Sequence, residues 1–239
     1  MSSERRGSLY LLPNTLGGAA PEAVVPAAVL DRARSLDYII AEDPKAARAF
    51  LKGIGVARPL QSIRIERLDH NTKPSDIPAI LEPLLAGNDA GLLSEAGLPA
   101  VADPGASLVR LAHERSVRVI PLSGPSSIVL ALAASGLDGQ RFAFHGYLPV
   151  AETELVSTLK ECEQQSRRLK QTQIFIETPY RNERTLATML RALAPATLVC
   201  VAADLTLESE TVKTRAVAAW REAPPQLKGR PTVFLLLAE

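Results

Sequence analysis

Residues 90–122 read AGLLSEAGLPAVADPGASLVRLAHERSVRVIPL. The first four, Ala90–Leu93, form a short apolar run that ends at Ser94 and reads as a strand. The loop from Ser94 to Gly105 is long for a strand-to-helix connection, where roughly 2–6 residues are usual. GASLVRLAHER then carries a helical pattern, and VRVIPL (117–122) returns to β-branched, strand-forming residues. Strand and helix alternating in this way define an α/β architecture with mainly parallel sheet.

The same alternation runs outward to both ends. SLYLL (8–12) and DYIIA (37–41) precede the quoted stretch as strands; FAFHG (142–146), QIFIE (173–177), TLVCVAA (197–203) and TVFLLLA (232–238) follow it. Helical patterns lie between them in PKAARAFLKGI, SDIPAILEPLLAG, PSSIVLALAAS, NERTLATMLRAL and AVAAWREA. The last three strands are almost wholly apolar, as expected where both faces are covered. Segment 151–171 differs: Leu155, Leu159, Cys162 and Leu169 make a thin apolar stripe on a charged, peripheral helix. A boundary between two α/β lobes is expected where VIPLSGP leaves its strand, giving lobes 1–120 and 121–239.

Composition narrows the class. Among 239 residues, 27 Lys+Arg balance 26 Asp+Glu, for a formal net charge of +1. Neither half departs from balance, with 14 basic and 14 acidic residues in 1–120 and 13 and 12 in the rest. A general polyanion binder would carry a basic excess. Cys162 and Cys200 belong to no CxxC pair, and with His70, His113 and His145 they offer no zinc spacing, so no metal is expected. Two buried thiols in a reducing compartment are expected. The apolar run Leu9–Leu12 is too short for a signal-peptide core, and no stretch approaches the ~18 apolar residues of a membrane span. A soluble, cytoplasmic protein without membrane contact is therefore expected. Proline is enriched, at 18 residues, or roughly 7.5% against about 5% in average usage.

In open α/β sheets ligands bind beyond the carboxyl ends of strands. Four strand-exit loops stand out. Pro13–Gly18 carries paired glycines that permit close backbone approach, without the GxGxxG pattern of a dinucleotide site. Ser94–Gly105 ends with Asp103 placed to cap a helix and Pro104 at its first position. Glu95 has no such structural assignment; a carboxylate just past a strand suits hydroxyls or an ammonium group. Ser123–Ser127 puts two hydroxyls at a helix start, which either simply cap the helix or suit a carboxylate or another anion. Glu177–Asn182 offers Arg181, either as a bidentate fork for an anion or as a solvated first-turn residue.

Read in order, several pieces share one pattern: LYLLPNTLG (9–17), AED (41–43), HN (70–71), LSEAGLPAVADPG (93–105), PLSGPSS (121–127), ALAASGL (131–137), FAFHGYLP (142–149), FIETPYR (175–181) and KGRPTVFLLLAE (228–239). Together they resemble the tetrapyrrole methylase superfamily of S-adenosylmethionine-dependent methyltransferases. The closer likeness is to its ribosomal RNA branch, the small-subunit cytidine 2′-O-methyltransferases. The resemblance implies two α/β lobes with an S-adenosylmethionine cleft between them, and a homodimer. It assigns cofactor contacts to Pro13, Ser94, Glu95, Gly97, Ser126, Ser127 and Ile176. RNA or a ribosomal subunit is the implied partner.

The pattern is incomplete on the side expected to meet the acceptor. Gly17-Gly18-Ala19-Ala20 lacks the Asn and Asp of that branch's first loop; Pro44-Lys45 follows AED in place of Thr-Arg. Ala203-Asp204-Leu205-Thr206-Leu207 stands where the branch has Arg-Glu-Leu-Thr-Lys. Two alternatives therefore stay open: methylation of a tetrapyrrole or other small molecule, and a non-catalytic S-adenosylmethionine-binding protein. Asn71, Lys73 and Arg181 are candidates for contacting the acceptor and Glu177 for a base, with no catalytic residue assigned.

Overall fold

The computed structural model describes residues 6–238; the charged start, 1–5, and Glu239 lie outside the described residues. The chain divides into two compact units, residues 1–126 and 127–239. The division falls six residues after the expected 120. Pro121 still pairs with Leu11, and the Leu122 N–H donates to the Leu11 carbonyl.

The first unit runs β1 (Ser8–Leu12), α1 (Pro21–Val24), α2 (Ala27–Ser35), β2 (Tyr38–Ala41), α3 (Pro44–Gly53), β3 (Arg64–Arg67), α4 (Ile77–Leu85), β4 (Ala90–Leu93), α5 (Ala106–Glu114) and β5 (Arg118–Pro121). Its sheet has the order β3-β2-β4-β1-β5 and every pairing is parallel. Successive side chains leave opposite faces of a strand, and here both faces are packed. Tyr10, Leu12, Ile39 and Leu93 join the core under α2 and α3, while Leu9, Ile40 and Leu92 join the core under α4 and α5. That explains why β2 and β4 are apolar at every position. β3 and the pair α1–α2 do not follow from the apolar pattern. RIER is an edge strand with two of its four side chains exposed, and Pro21 and Pro26 interrupt the helical period.

The second unit runs α6 (Ser127–Ser135), β6 (Phe142–Tyr147), α7 (Glu152–Leu169), β7 (Thr172–Glu177), α8 (Asn182–Ala192), β8 (Leu198–Ala203), β9 (Thr211–Ala216), α9 (Val217–Glu222) and β10 (Thr232–Leu237). The sheet order is β6-β7-β10-β8-β9. Only β6 and β7 run parallel; β7–β10, β10–β8 and β8–β9 are antiparallel. The mainly parallel arrangement thus describes the first sheet throughout and five of the eight pairings among the described residues. Burial on both faces makes a strand apolar whichever way it runs, and β7, β8 and β10 are buried nearly throughout. Residues from α7, α8 and α9 share one core with Phe175, Val201 and Phe234, and α6 packs against β8, β9 and β10.

On α7 the buried stripe is Leu155, Leu159, Cys162 and Ser166; the expected Leu169 is 42% exposed. The spacing of four, three and four keeps one face of the helix inward, and Leu169, one turn on, ends the helix above solvent. Both cysteines are free and buried. Burial pushes the Cys162 thiol up to about 11 and raises that of Cys200 as well. Neither is a reactive thiolate.

Candidate functional site

All strands of the first sheet are parallel, so their exit loops gather at one edge. β1 leads to α2 on one face, and its neighbour β4 leads to α5 on the other. Two adjacent strands whose chains depart to opposite faces make a topological switch point, where a crevice opens beyond the strand ends.

The loops at that point are laced together. The Asn14 N–H donates to the Gly97 carbonyl at 2.8 Å, and the Gly97 N–H donates to the Thr15 carbonyl at 3.2 Å. The Asn14 side-chain amide donates to the carbonyls of Ser94 and Glu95, at 3.1 and 3.0 Å. Its oxygen accepts from the Thr15 N–H. Asn14 is buried and fully used. The next loop over, after β5, closes on the same place. A Cβ at Gly124 would run into the Pro13 ring, and one at Gly97, whose φ is +68°, would sit 3.2 Å from Leu16 and 3.5 Å from the Pro125 carbonyl. These glycines are required by close approach and backbone shape.

Of the residues assigned from sequence, Pro13, Ser94, Glu95 and Gly97 thus lie in two hydrogen-bonded loops, with Glu95 exposed. Ser126 ends the first unit just past Gly124 and Pro125, and Ser127 opens α6 in the second. Ile176 is a half-buried residue near the end of β7, also in the second unit.

Asp103 does not cap α5. The helix begins at Ala106 with Gly105 in the capping position, φ +135°, and no side chain caps it. The helix cannot start at Pro104 because Gly105 lies far from helical backbone, and upstream Ala100 and Ala102 both adopt left-handed backbone, φ +63°. Such a conformation costs an L-residue roughly 1–2 kcal/mol, and non-glycine examples gather at functional loops. Asp103 instead meets Ser94. Burial lifts its carboxyl to about 6, Glu42 and Glu95 add repulsion, and a hydrogen bond to Ser94 opposes them. The single Ser94 hydroxyl proton also has the Ala96 and Gly97 carbonyls in reach, at 3.2 and 3.5 Å. Glu42, at the exit of β2, is raised by burial and by Glu95. Three carboxylates from the β2 and β4 exits therefore share one region, and Asp103 is poised to exchange a proton near neutrality.

Several of the other candidates are engaged elsewhere. Asp43 of the AED piece caps α3, accepting from the Lys45 N–H at 2.8 Å. His70 and Asn71 lie at the exit of β3, where Asp69 accepts from the Asn71 N–H and the Thr72 hydroxyl; Lys73 follows, exposed. Glu177 is not an available base. Its buried carboxylate pairs with Arg181 at 3.0 Å and accepts from the Thr178 N–H and from the Thr178 and Thr185 hydroxyls. Arg181 also donates, through the same terminal nitrogen, to the Leu148 and Pro149 carbonyls. Together they fasten the β7–α8 turn to the end of β6. Asp204, in the altered late motif, pairs with Arg230 at 2.6 Å and accepts from Ser209. No group of three or more His, Cys, Asp or Glu side chains is placed to hold a metal ion among the described residues.

Sequence reading overlooked Asn14 and misassigned Asp103. Both sit in quoted motifs, but their partners depend on which loops the sheet order makes neighbours.

A parallel α/β sheet with its ligand-type loops locked at a switch point, joined to a second α/β unit, is the framework of an enzyme. The family model of the tetrapyrrole (corrin/porphyrin) methylases matches residues 23–219. A ribosomal RNA small subunit methyltransferase I from Escherichia coli O157:H7 is 32% identical over 207 residues, covering 87% of this chain and 68% of that protein. The protein of the same description from Mesorhizobium japonicum is 31% identical over 235 residues, covering 97% and 76%. Among solved structures, the crystal structure of the methyltransferase CobJ shares the fold, with a TM-score of 0.62 at 17% identity, covering 97% of this chain and 94% of that one. The chain belongs to the tetrapyrrole methylase family and is a methyltransferase.

Proposed function

We propose that this methyltransferase takes its methyl group from S-adenosylmethionine and places it on ribosomal RNA of the small subunit. The observation that carries the cofactor is the interlock of the β1, β4 and β5 exits, where glycines let the three loop backbones converge and Ser126 follows directly. The RNA acceptor is supported by relatives described as ribosomal RNA methyltransferases at about one-third identity over most of the chain. When bound, S-adenosylmethionine supplies a methyl group already activated as a sulfonium. The loops through Pro13, Ser94, Glu95 and Gly97 hold and orient it, and the hydroxyls of Ser126 and Ser127 suit its carboxylate. The resemblance adds Ile176 against the adenine. A hydroxyl acceptor must also lose a proton, and Asp103 is the carboxylate fitted to take it. The same reading makes the protein a homodimer working in the cytoplasm. No helix among the described residues is long and apolar enough to cross a membrane.

Calorimetry with S-adenosylmethionine, followed by labelled-methyl transfer into small ribosomal subunits from a strain lacking this protein, tests the reading. The wild type is expected to bind and to label the subunit. Ser127→Trp should abolish binding, and Asp103→Asn should keep binding while turnover falls about 10²-fold or more. Absence of heat at millimolar ligand removes the cofactor. Binding without labelled RNA removes the RNA acceptor, and an Asp103→Asn enzyme of normal turnover removes the base.

A further inference from the structure

The chain has no overall basic excess, so an RNA substrate must be held by a local surface. One such surface lies in the second unit, at the end of the sheet where β6 and β7 begin. The Thr172 N–H donates to the Arg141 carbonyl at 2.8 Å, and Phe142 pairs with Thr172, so the start of β6 lies against the last turn of α7. That turn carries Arg167 and Arg168 and is followed by Lys170, held in left-handed backbone at φ +51°. Arg141, Phe142, Arg167, Arg168, Leu169 and Lys170 are all exposed, Phe142 by 44%. Beside them a cavity of about 340 Å³ is lined by Asp138, Arg167, Lys170, Leu237 and Ala238.

Cations outnumber acids at this surface. Among the described residues, Arg141, Arg168 and Lys170 form no ion pair. Asp138, the acid lining the cavity, accepts with one carboxylate oxygen from the Gln140 and Arg141 N–H groups, closing a turn. A helix C-terminus favours cations for its own dipole, and that accounts for Arg167 and Arg168. It does not account for Arg141, which comes from another element, or for an exposed phenylalanine next to it. Cations flanking an open aromatic ring suit single-stranded nucleic acid, with phosphates on the cations and a base stacked on the ring.

We propose that Arg141, Phe142, Arg168 and Lys170, with the cavity beside them, form a docking surface for a single-stranded segment of the substrate RNA. The inference rests on the RNA reading above. Its probe is a labelled oligouridylate, titrated over a range of salt and alongside the labelled-methyl assay on small subunits. Reversing three charges, with Arg141→Glu, Arg168→Glu and Lys170→Glu, is expected to weaken oligouridylate binding about tenfold or more. The slope of log affinity against log salt should fall by about 2, from roughly 0.7 per phosphate contact. Phe142→Ala should weaken binding with the slope unchanged. S-adenosylmethionine binding should stay at the wild-type level, which also reports that the variant is folded. The corresponding glutamines should give an intermediate loss. An equal reversal in the first unit, Arg110→Glu, Arg115→Glu and Arg118→Glu, should have the smaller effect. If the two triple reversals weaken binding equally, only net charge matters and the surface is wrong. Unchanged affinity and slope in the first variant overturn it too. If the wild type itself neither binds the oligouridylate nor labels subunits, the RNA reading fails and this surface falls with it.

Discussion

Asp103 shows how much a single side chain can change meaning between sequence and fold. In the linear order Asp103-Pro104 is a well-formed helix start, yet in the fold the carboxylate meets Ser94 and the helix starts at Ala106, after Gly105. Its carboxyl titrates at about 6 in the fold against 3.8 ordinarily, so the folded state binds more protons between those values. Stability due to this group is therefore fully present below about pH 4 and lost as the pH rises through 6. The site is partly open to water, which screens the effect to roughly 1 kcal/mol. Asp103→Asn should accordingly be the more stable protein by about that amount at pH 8 and equal to wild type near pH 4, measured by urea unfolding. An equal difference at both pH values would mean the carboxylate is not desolvated. Pro13, Ser94 and Gly97 were legible as loop residues because glycine, proline and hydroxyls after a strand carry a local signal. The bond from Asn14 to Ser94 spans 80 positions and appears only once β1 and β4 are neighbours.

At the scale of elements, what the sequence discloses is burial more than direction. Eight strands announce themselves through apolar runs, while β3 and β9 do not, because RIER and TVKTRA lie at sheet edges and keep charged side chains in water. The antiparallel course of β7, β10, β8 and β9 was hidden for the complementary reason: each of the three central strands is covered on both faces, the pattern also produced by parallel strands. α7 offers a direct check of how packing selects among equivalent leucines. Leu159 is fully buried in the core with Phe175 and Phe234, whereas Leu169 ends the helix in solvent. Leu159→Ala should cost about 2–5 kcal/mol and Leu169→Ala under about 0.5 kcal/mol in denaturant unfolding. Comparable losses at both positions would restore the stripe expected from sequence.

For the whole molecule, the balance of 27 basic against 26 acidic residues means that recognition has to be local. The two compact units also allow unfolding in more than one step, since two-state behaviour is secure only for single small domains. The chain carries its own reporter of this. Trp220, the single tryptophan, is buried in the core of the second unit and donates its indole N–H to the Val199 carbonyl at 2.8 Å. Its fluorescence follows that unit, while circular dichroism at helical wavelengths follows both. A ligand bound only by the native protein stabilises it by about 2.7 kcal/mol at a hundred times its dissociation constant. The family resemblance assigns contacts to Pro13, Ser94, Glu95 and Gly97 in one unit and to Ser127 and Ile176 in the other; if both sets hold the cofactor, losing the fold of either unit releases it. Saturating S-adenosylmethionine should therefore delay the Trp220 transition and the dichroism transition together. A dichroism midpoint that moves while the Trp220 transition stays in place would confine the cofactor to the β1, β4 and β5 exits and strike Ile176 from its contacts.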